Sequence, residues 1–368
     1  MLTERVYVDG YYDLNFGDDL FFECLFQRYP NVPFLCVADP AYKKKFSKYS
    51  NVEVLPRNVL FKVGNRLVSL FGASLFKMIQ KKCLGTVLIG GSMFIEPGGP
   101  KTSPQGRGFY SVLGVNYGPA QTHSYEEAAR DFFSQSYDVC FRDRTSYDVF
   151  SDLPNVRVAP DIAYSLDYSQ YVRNPADRKY IFVSVIDLSA DQRPSLAMYK
   201  DGYLTAIATE INSWMDRGMD VVVASFCEDE GDESVFDDLS GRIQASETQM
   251  VTNYRYQGDV EEVLSLMGGS SAVIGSRFHS IVIALAMGKP VLPISYSNKT
   301  DQMLEDIGLR SVEMTHLGAR PINEQDYVAI DDKAIVDLRV KAREQFRGLD
   351  RHFGLDFGDE RVDGGVHA

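Results

Sequence analysis

AVIGSRFHSIVIALAMGKPVLPISYSNKTDQMLEDIG, residues 272–308, decides the fold. Residues 272–274 are a short apolar run that breaks at Gly275 and Ser276. Arg277 and His279 follow just where a second apolar run, 281–287, has the length of a helix. Residues 290–295 read as another strand, ending in Tyr296, Asn298 and Lys299. Strand, loop, helix and strand in that order build a parallel α/β sheet. Such sheets bind ligands beyond the carboxyl ends of their strands. There a helix N-terminus offers unpaired N–H groups and the positive end of its dipole. Arg277 adds a planar fork for carboxylate or phosphate, and His279 a group that exchanges protons near neutral pH. Position and chemistry together predict a small-anion site. The plainer alternative is an arginine paired to a neighbouring carboxylate and a histidine filling the helix start.

The same alternation runs through the whole chain. Strands are predicted near residues 5–8, 34–37, 52–55, 86–89, 111–115, 139–142 and 156–158, then near 180–185, 220–225, 272–274 and 290–295. Helices are predicted at 20–28, 203–217, 259–267 and 331–346. Residues 169–179, with Asn174, Pro175 and Asp177, carry no apolar period and read as a linker. The expected architecture is two Rossmann-like, doubly wound domains, 1–170 and 171–322, facing a cleft. A last helix and a fraying tail fill 323–368.

Composition bounds the function. A chain of 368 residues with 45% hydrophobic content can bury two cores of ordinary size. A net charge of −13 disfavours a nucleic-acid partner. The five cysteines (Cys24, Cys36, Cys83, Cys140, Cys227) form no C-x-x-C pair and read as reduced thiols in or near the core. The opening MLTERVYVDG lacks the apolar core of a signal peptide, and no run approaches about 18 apolar residues. A cytoplasmic location is expected. His123, His316, His352 and His367 show no metal-ligand spacing, so no metal is expected. The acidic run 227–238 lacks the spacing of a calcium loop and reads as a solvated loop.

Further motifs extend the pattern. GYYDLNFGDDL (10–20) carries Asn15, Gly17 and Asp18, with Asp18 or Asp19 available as a helix cap. LIGGSMF (88–94) carries Gly90 and Gly91, with Ser92 where a third glycine is common. VLGVNYGPA (112–120), CFRDRTSYDVF (140–150) and APDIAYSL (159–166) follow, then the G-x-R-x-H of 275–279 and the Y-x-x-K of Tyr296 and Lys299. Together and in this order, these pieces resemble the polysaccharide pyruvyl transferase family, whose members move pyruvate from phosphoenolpyruvate onto a sugar as a ketal. The resemblance implies an arrangement similar to GT-B glycosyltransferases. It also implies phosphoenolpyruvate contacts at Arg277 and His279, a second arginine at Arg142 supported by Asp143 and Ser146, and an anion contact at Lys299. Arg144 rivals Arg142, Ser280 is placed to donate to the phosphate, and Asp143 with Ser146 also reads as a plain cap. Asn15, Asp18, Gly90 and Gly91 are expected on the acceptor side.

The expected activity is therefore ketal-forming pyruvyl transfer to a saccharide in cell-surface glycan synthesis. Phosphoenolpyruvate is a co-substrate, no cofactor is needed, and His279 is the expected proton carrier. The alternatives are a GT-B glycosyltransferase using a nucleotide sugar and a non-catalytic sugar-binding module. The loop 96–108, with four glycines and three prolines, reads as a lid in which Lys101 and Arg107 are candidate contacts. One stretch stands apart: 57–82 holds six basic residues and no acidic one. A helical projection gathers Leu60, Val63, Leu67, Leu70, Phe71, Leu75 and Met78 on one face and sets Lys62, Arg66 and Lys77 opposite. Either this helix packs on the sheet, or it rests on an anionic membrane surface near a lipid-linked acceptor at the inner face.

Overall fold

The computed structural model describes residues 2–98, 104, 108–173, 179–189, 191–318 and 320–355. Lys101, Arg107 and residues 174–178 of the expected linker lie outside the described residues.

Two parallel sheets carry the fold. The first contains β1 (Val6–Asp9), β2 (Phe34–Ala38), β3 (Val52–Pro56), β4 (Gly85–Ile89), β5 (Tyr110–Val115), β6 (Asp138–Phe141) and β7 (Val156–Val158). Its order is β3-β2-β1-β4-β5-β6-β7. The second contains β8 (Tyr180–Ser184), β9 (Asp220–Ser225), β10 (Val251–Arg255), β11 (Val273–Gly275), β12 (Val291–Ser295) and β13 (Val312–Glu313), in the order β10-β9-β8-β11-β12-β13. Val6 aligns with both Phe34 and Gly85, and Ile274 with both Val183 and Leu292. Strand order therefore reverses at β1/β4 and at β8/β11, the two positions where such sheets open a crevice. β2, β4 and β5 are buried at every residue, so they read as continuous apolar runs rather than alternating ones.

The sequence pattern missed β10 and β13. β10 is a mostly exposed edge strand, VTNYR, whose polar side chains show no buried face, and β13 is only two residues long. The first helix also starts earlier than expected, at Phe16, and runs to Arg28. Neither Asp18 nor Asp19 caps it. Asn15 does, its side-chain oxygen accepting from the Gly17 N–H at 3.0 Å.

The chain end returns to the first sheet. After the Asp332–Arg343 helix, the Gln345 side chain accepts from Gly114 N–H at 3.0 Å and donates to the Ala159 carbonyl at 2.8 Å. Arg28 pairs with Asp350 at 2.7 Å. The two sheets also share one apolar core: Phe16 packs against Phe226 at a tilt, with ring centroids 4.6 Å apart, and the Phe16 N–H donates to the Phe226 carbonyl. Tyr256, from beyond β10, donates to buried Asp19 at 2.6 Å, and Lys45 pairs with the same carboxylate.

Residues 57–82 do not form one helix. Val59–Ser69 and Leu75–Gln80 are separate helices, divided near Gly72, whose φ of 71° suits a residue without Cβ. The side facing the protein is Phe61, Phe76 and Ile79, which pack on Tyr7, Leu35, Val37 and Cys83. Leu60, Val63, Leu67, Leu70 and Phe71 point to solvent instead.

Candidate active site

The strand β11 ends at Gly275, and Arg277, in extended backbone, sits at the start of the Phe278–Ala286 helix. Serines pin this turn. Ser184 Oγ accepts from the N–H groups of Ser276 and Arg277 at 3.1 and 3.2 Å, and Ser280 Oγ donates to the Arg277 carbonyl at 2.6 Å. Ser280 is fully buried and lies 2.6 Å from Ser184 Oγ, so its hydroxyl is turned into the domain rather than toward a phosphate. Its role in the turn is structural.

Arg277 is not an open clamp. Its Nε donates to Asp232 Oδ2 at 2.9 Å, Nη2 to the other oxygen of Asp232, and Nη1 to Glu230 Oε2 at 2.6 Å. The acidic run read as a solvated loop therefore supplies two partners, and Asp232 is 0% exposed. Burial explains the pairing, because an unpaired guanidinium at this depth carries a large desolvation cost. Glu230 is also held by Arg193, and its Oε1 accepts from Asn15 Nδ2 at 3.4 Å. Burial works against its charge, yet Arg277, Arg193 and Lys299 keep this carboxyl below its ordinary range. A carboxylate ringed by three cations occupies a position suited to an anionic ligand.

His279 reaches from the second domain into the first. Its ring meets Phe21 edge-on at 5.0 Å and rests against Gly17. Its Nε2 is buried without a hydrogen-bond partner, with Asp161 Oδ2 at 4.0 Å. Burial, then the charges of Arg142, Lys299 and Arg277, push its pKa well below the ordinary value, so the imidazole is neutral.

Arg142 faces His279 from the end of β6. It donates to Asp161 Oδ2 at 3.1 Å and to Asn116 Oδ1 at 2.7 Å, and its guanidinium lies 4.4 Å from the Phe278 ring centroid. Arg144 is exposed and pairs with Asp148, so Arg142 is the arginine that enters the cluster. Asp143 caps the next helix by accepting from Ser146 N–H at 2.7 Å and Ser146 Oγ at 2.8 Å, while Ser146 Oγ accepts from Tyr117 N–H. This pair is structural. Gly91 abuts Arg142, and a Cβ there would lie 2.6 Å from Nη1.

Lys299 lies in the first turn of the Asn298–Asp306 helix, 6.0 Å from the Phe278 ring and 5.8 Å from the Tyr296 ring. It makes no ion pair among the described residues. A cation at a helix N-terminus is electrostatically unfavourable unless an anion joins it. Burial alone would raise the Tyr296 phenol, but Lys299, Arg277 and Arg193 bring it below its ordinary value.

Asp18, beside Gly90, completes the ring from the first domain. Burial and the neighbouring Asp19 charge lift its carboxyl to about 7, with Arg142 and Lys299 opposing. Of the cluster, Arg142 and Asp161 also line a cavity of about 410 Å³ walled by Met303, Ile307, Leu338 and Lys341. The sequence reading missed Asn116, Asp161, Phe278, Glu230 and Asp232. Asp161 and Phe278 stood inside quoted motifs, whereas Glu230 and Asp232 had only their acidity to mark them. Among the described residues, no group of three or more His, Cys, Asp or Glu is arranged to hold a metal ion. No helix there is long and apolar enough to cross a membrane.

Comparison with known proteins identifies the fold and the family. The solved structure of Anabaena Alr3699/HepE in complex with UDP and glucose is similar, with a TM-score of 0.54 and 11% identity over 95% of this chain and 99% of that one. A putative UDP-N-acetylglucosamine 2-epimerase from Listeria monocytogenes is similar at a TM-score of 0.57 and 9% identity over 96% and 97% of the two chains. At such identities the likeness establishes the fold, two Rossmann-like domains in the GT-B manner. In sequence, the amylovoran biosynthesis protein AmsJ of Erwinia amylovora is 25% identical over 248 residues, 61% of this chain and 59% of that protein. The chain thus spans less than two thirds of that relative. The family model described as Polysaccharide pyruvyl transferase matches residues 15–298, from the Asn15 cap to the helix that carries Lys299. That span contains Asn15, Asp18, Arg142, Asp161, Glu230, Arg277 and His279 and stops one residue short of Lys299, and the chain belongs to the polysaccharide pyruvyl transferase family.

Proposed function

We propose that this protein moves pyruvate from phosphoenolpyruvate onto a saccharide as a cyclic ketal. One observation carries the reading: Arg142 and Lys299 share the Phe278 ring beside the unpartnered Nε2 of His279, where the two sheets' carboxyl edges meet. Two cations and an idle imidazole at a domain interface suit a small, multiply charged anion.

The chemistry balances without an oxidant or a cofactor. A proton adds to C3 of phosphoenolpyruvate, an acceptor hydroxyl oxygen bonds to C2, and that hydroxyl gives up its proton. The bond from C2 to the phosphate ester oxygen then breaks, and phosphate leaves with the electron pair. A second hydroxyl of the same sugar bonds to C2, loses its proton and closes the ring. Two hydroxyls and phosphoenolpyruvate become a ketal and inorganic phosphate.

Each residue has a place in this scheme. Arg142 and Lys299 balance the carboxylate and phosphate, and Arg277 joins them when the ligand displaces Glu230. A bound dianion raises the His279 pKa, so Nε2 acquires the proton that C3 needs. Asp18, titrating about 7, takes the acceptor hydroxyl's proton, and Asn15 with the turn at Gly90 and Gly91 receives the sugar.

Mass spectrometry of glycans incubated with protein and phosphoenolpyruvate tests the reading, with a pyruvate adduct expected. Thermal unfolding separates the alternatives, because a ligand of the native state raises the melting temperature. Stabilisation by phosphoenolpyruvate is expected. A rise with a nucleotide sugar alone points to glycosyl transfer, and a rise with glycan alone to a sugar-binding module; either overturns the proposal.

A further inference from the structure

The two helices Val59–Ser69 and Leu75–Gln80 stand outside the catalytic ring and carry a surface that the transfer reaction does not use. No residue of Val59–Ser69 is buried. Leu60 is 80% exposed, Leu70 76% and Phe71 88%, with Val59, Val63 and Leu67 also more than half exposed. At about 100° per residue, Val59, Leu60, Val63 and Leu67 fall within roughly one third of the helix circumference, and Leu70 and Phe71 follow in the turn just past its end. The side toward the protein is a different arc, where Phe61 packs on Phe76 at 5.0 Å and Gly64 faces Leu75. The stripe therefore has no partner among the described residues. A continuous row of large apolar side chains in water signals an interaction surface rather than scattered exposure.

Charge says which partner. On the Val59–Ser69 helix, Lys62 and Arg66 lie beside Val59 at the edge of the stripe rather than opposite it as the projection of one long helix suggested, and Lys77, Lys81 and Lys82 are exposed on and after the second helix. The stretch 57–82 holds six basic residues and no acidic one in a chain of net charge −13. An apolar stripe edged by cations matches an anionic lipid surface, where the side chains enter the acyl boundary and the cations meet headgroups. Two features disfavour other occupants. The stripe is a ridge, since its helix buries no residue, so a protein partner would need a matching groove while a fluid interface needs none. A two-fold pairing of the stripe with itself would set its basic edge against its own copy.

We propose that the Val59–Ser69 and Leu75–Gln80 helices dock the protein on anionic membrane, with Leu60, Leu70 and Phe71 inserted and Lys62 and Arg66 on the headgroups. This docking is independent of the proposed reaction.

Flotation of the full chain with lipid vesicles tests it. Wild type is expected to float with vesicles of phosphatidylcholine and phosphatidylglycerol at low salt. It should release as salt passes about 0.1 M, where screening reaches about 10 Å. Vesicles of phosphatidylcholine alone should bind far less. Lys62→Glu with Arg66→Glu should weaken binding at least about fivefold per charge, and Leu60→Asp with Phe71→Asp should abolish it. Both double variants change exposed positions, so unchanged melting temperatures and unchanged stabilisation by phosphoenolpyruvate will show that fold and donor site survive. Wild type that stays unbound at low salt overturns the proposal, as does equal flotation of wild type and variants. Sedimentation adds one more arm. A wild-type dimer that dissociates in Leu60→Asp with Phe71→Asp would assign the stripe to a second copy and overturn membrane docking.

Discussion

The backbone of Gly17, in the first turn of the opening helix, lies so close to the His279 imidazole that a Cβ at Gly17 would overlap Nδ1. The contact joins the two domains, and it places the ring whose Nε2 lies 4.0 Å from Asp161 Oδ2. Space is the reason for glycine here, because Gly17 is not among the positive-φ residues.

Gly17→Ala should therefore displace the imidazole. An alanine ordinarily gains about 0.5–1 kcal/mol over glycine within a helix. Overpacking at a tight contact costs about 1–3 kcal/mol. We expect a net fall in melting temperature together with a loss of pyruvyl transfer of tenfold or more. A more stable variant with full activity would show that the contact does not position His279.

His279→Gln should lower turnover about 100-fold or more while changing donor affinity little, as expected for a group that moves a proton. The neutral imidazole should gain a proton when the anion binds, so affinity should strengthen as pH falls. Calorimetry in buffers of different ionisation enthalpy measures that uptake. Unchanged turnover at saturating donor would assign His279 to binding alone.

Asp18 gives a signed pH effect. Its carboxyl is raised from 3.8 to about 7 in the folded protein, so the native state binds a proton that the unfolded state has already lost. Stability from this group is fully present below about 4 and lost as pH rises through about 7. Asp18→Asn should remove that loss, so its melting temperature should gain on wild type progressively between those limits. Parallel curves for the two proteins would refute the raised pKa. Activity of the variant should fall as well, since it cannot accept a proton.

Glu230 and Asp232 hold Arg277 but should answer differently to change. Arg277→Ala leaves Asp232 buried and unpaired, and breaking such a pair costs about 3–5 kcal/mol. We expect a large drop in melting temperature, beyond any loss of ligand binding. Glu230→Gln keeps the fold, removes a competing carboxylate from the cations and should tighten phosphoenolpyruvate binding severalfold by calorimetry. Weaker binding by that variant would mean that the ligand never takes the place of Glu230.

The sequence by itself determined most of the strands and the carboxyl edge of the second sheet. Apolar runs such as residues 86–89 and 272–274 are buried on both sides, so their pattern is local and strong, and the break at Gly275 and Ser276 marks the carboxyl edge. It did not reveal β10, whose polar residues carry no periodic signal, or the return of Gln345 and Asp350 to the first sheet. Tertiary structure alone decided which charges meet. Arg277 pairs with Asp232, 45 residues away, because both are buried and neither tolerates isolation; Arg142, just after β6, is buried against Asp161, whereas Arg144, in the first turn of the following helix, pairs with Asp148 at the exposed rim of the same cavity. It also decided the face of Val59–Ser69. Periodicity shows that apolar residues share a side, but whether that side meets protein or water depends on what the rest of the chain packs against it.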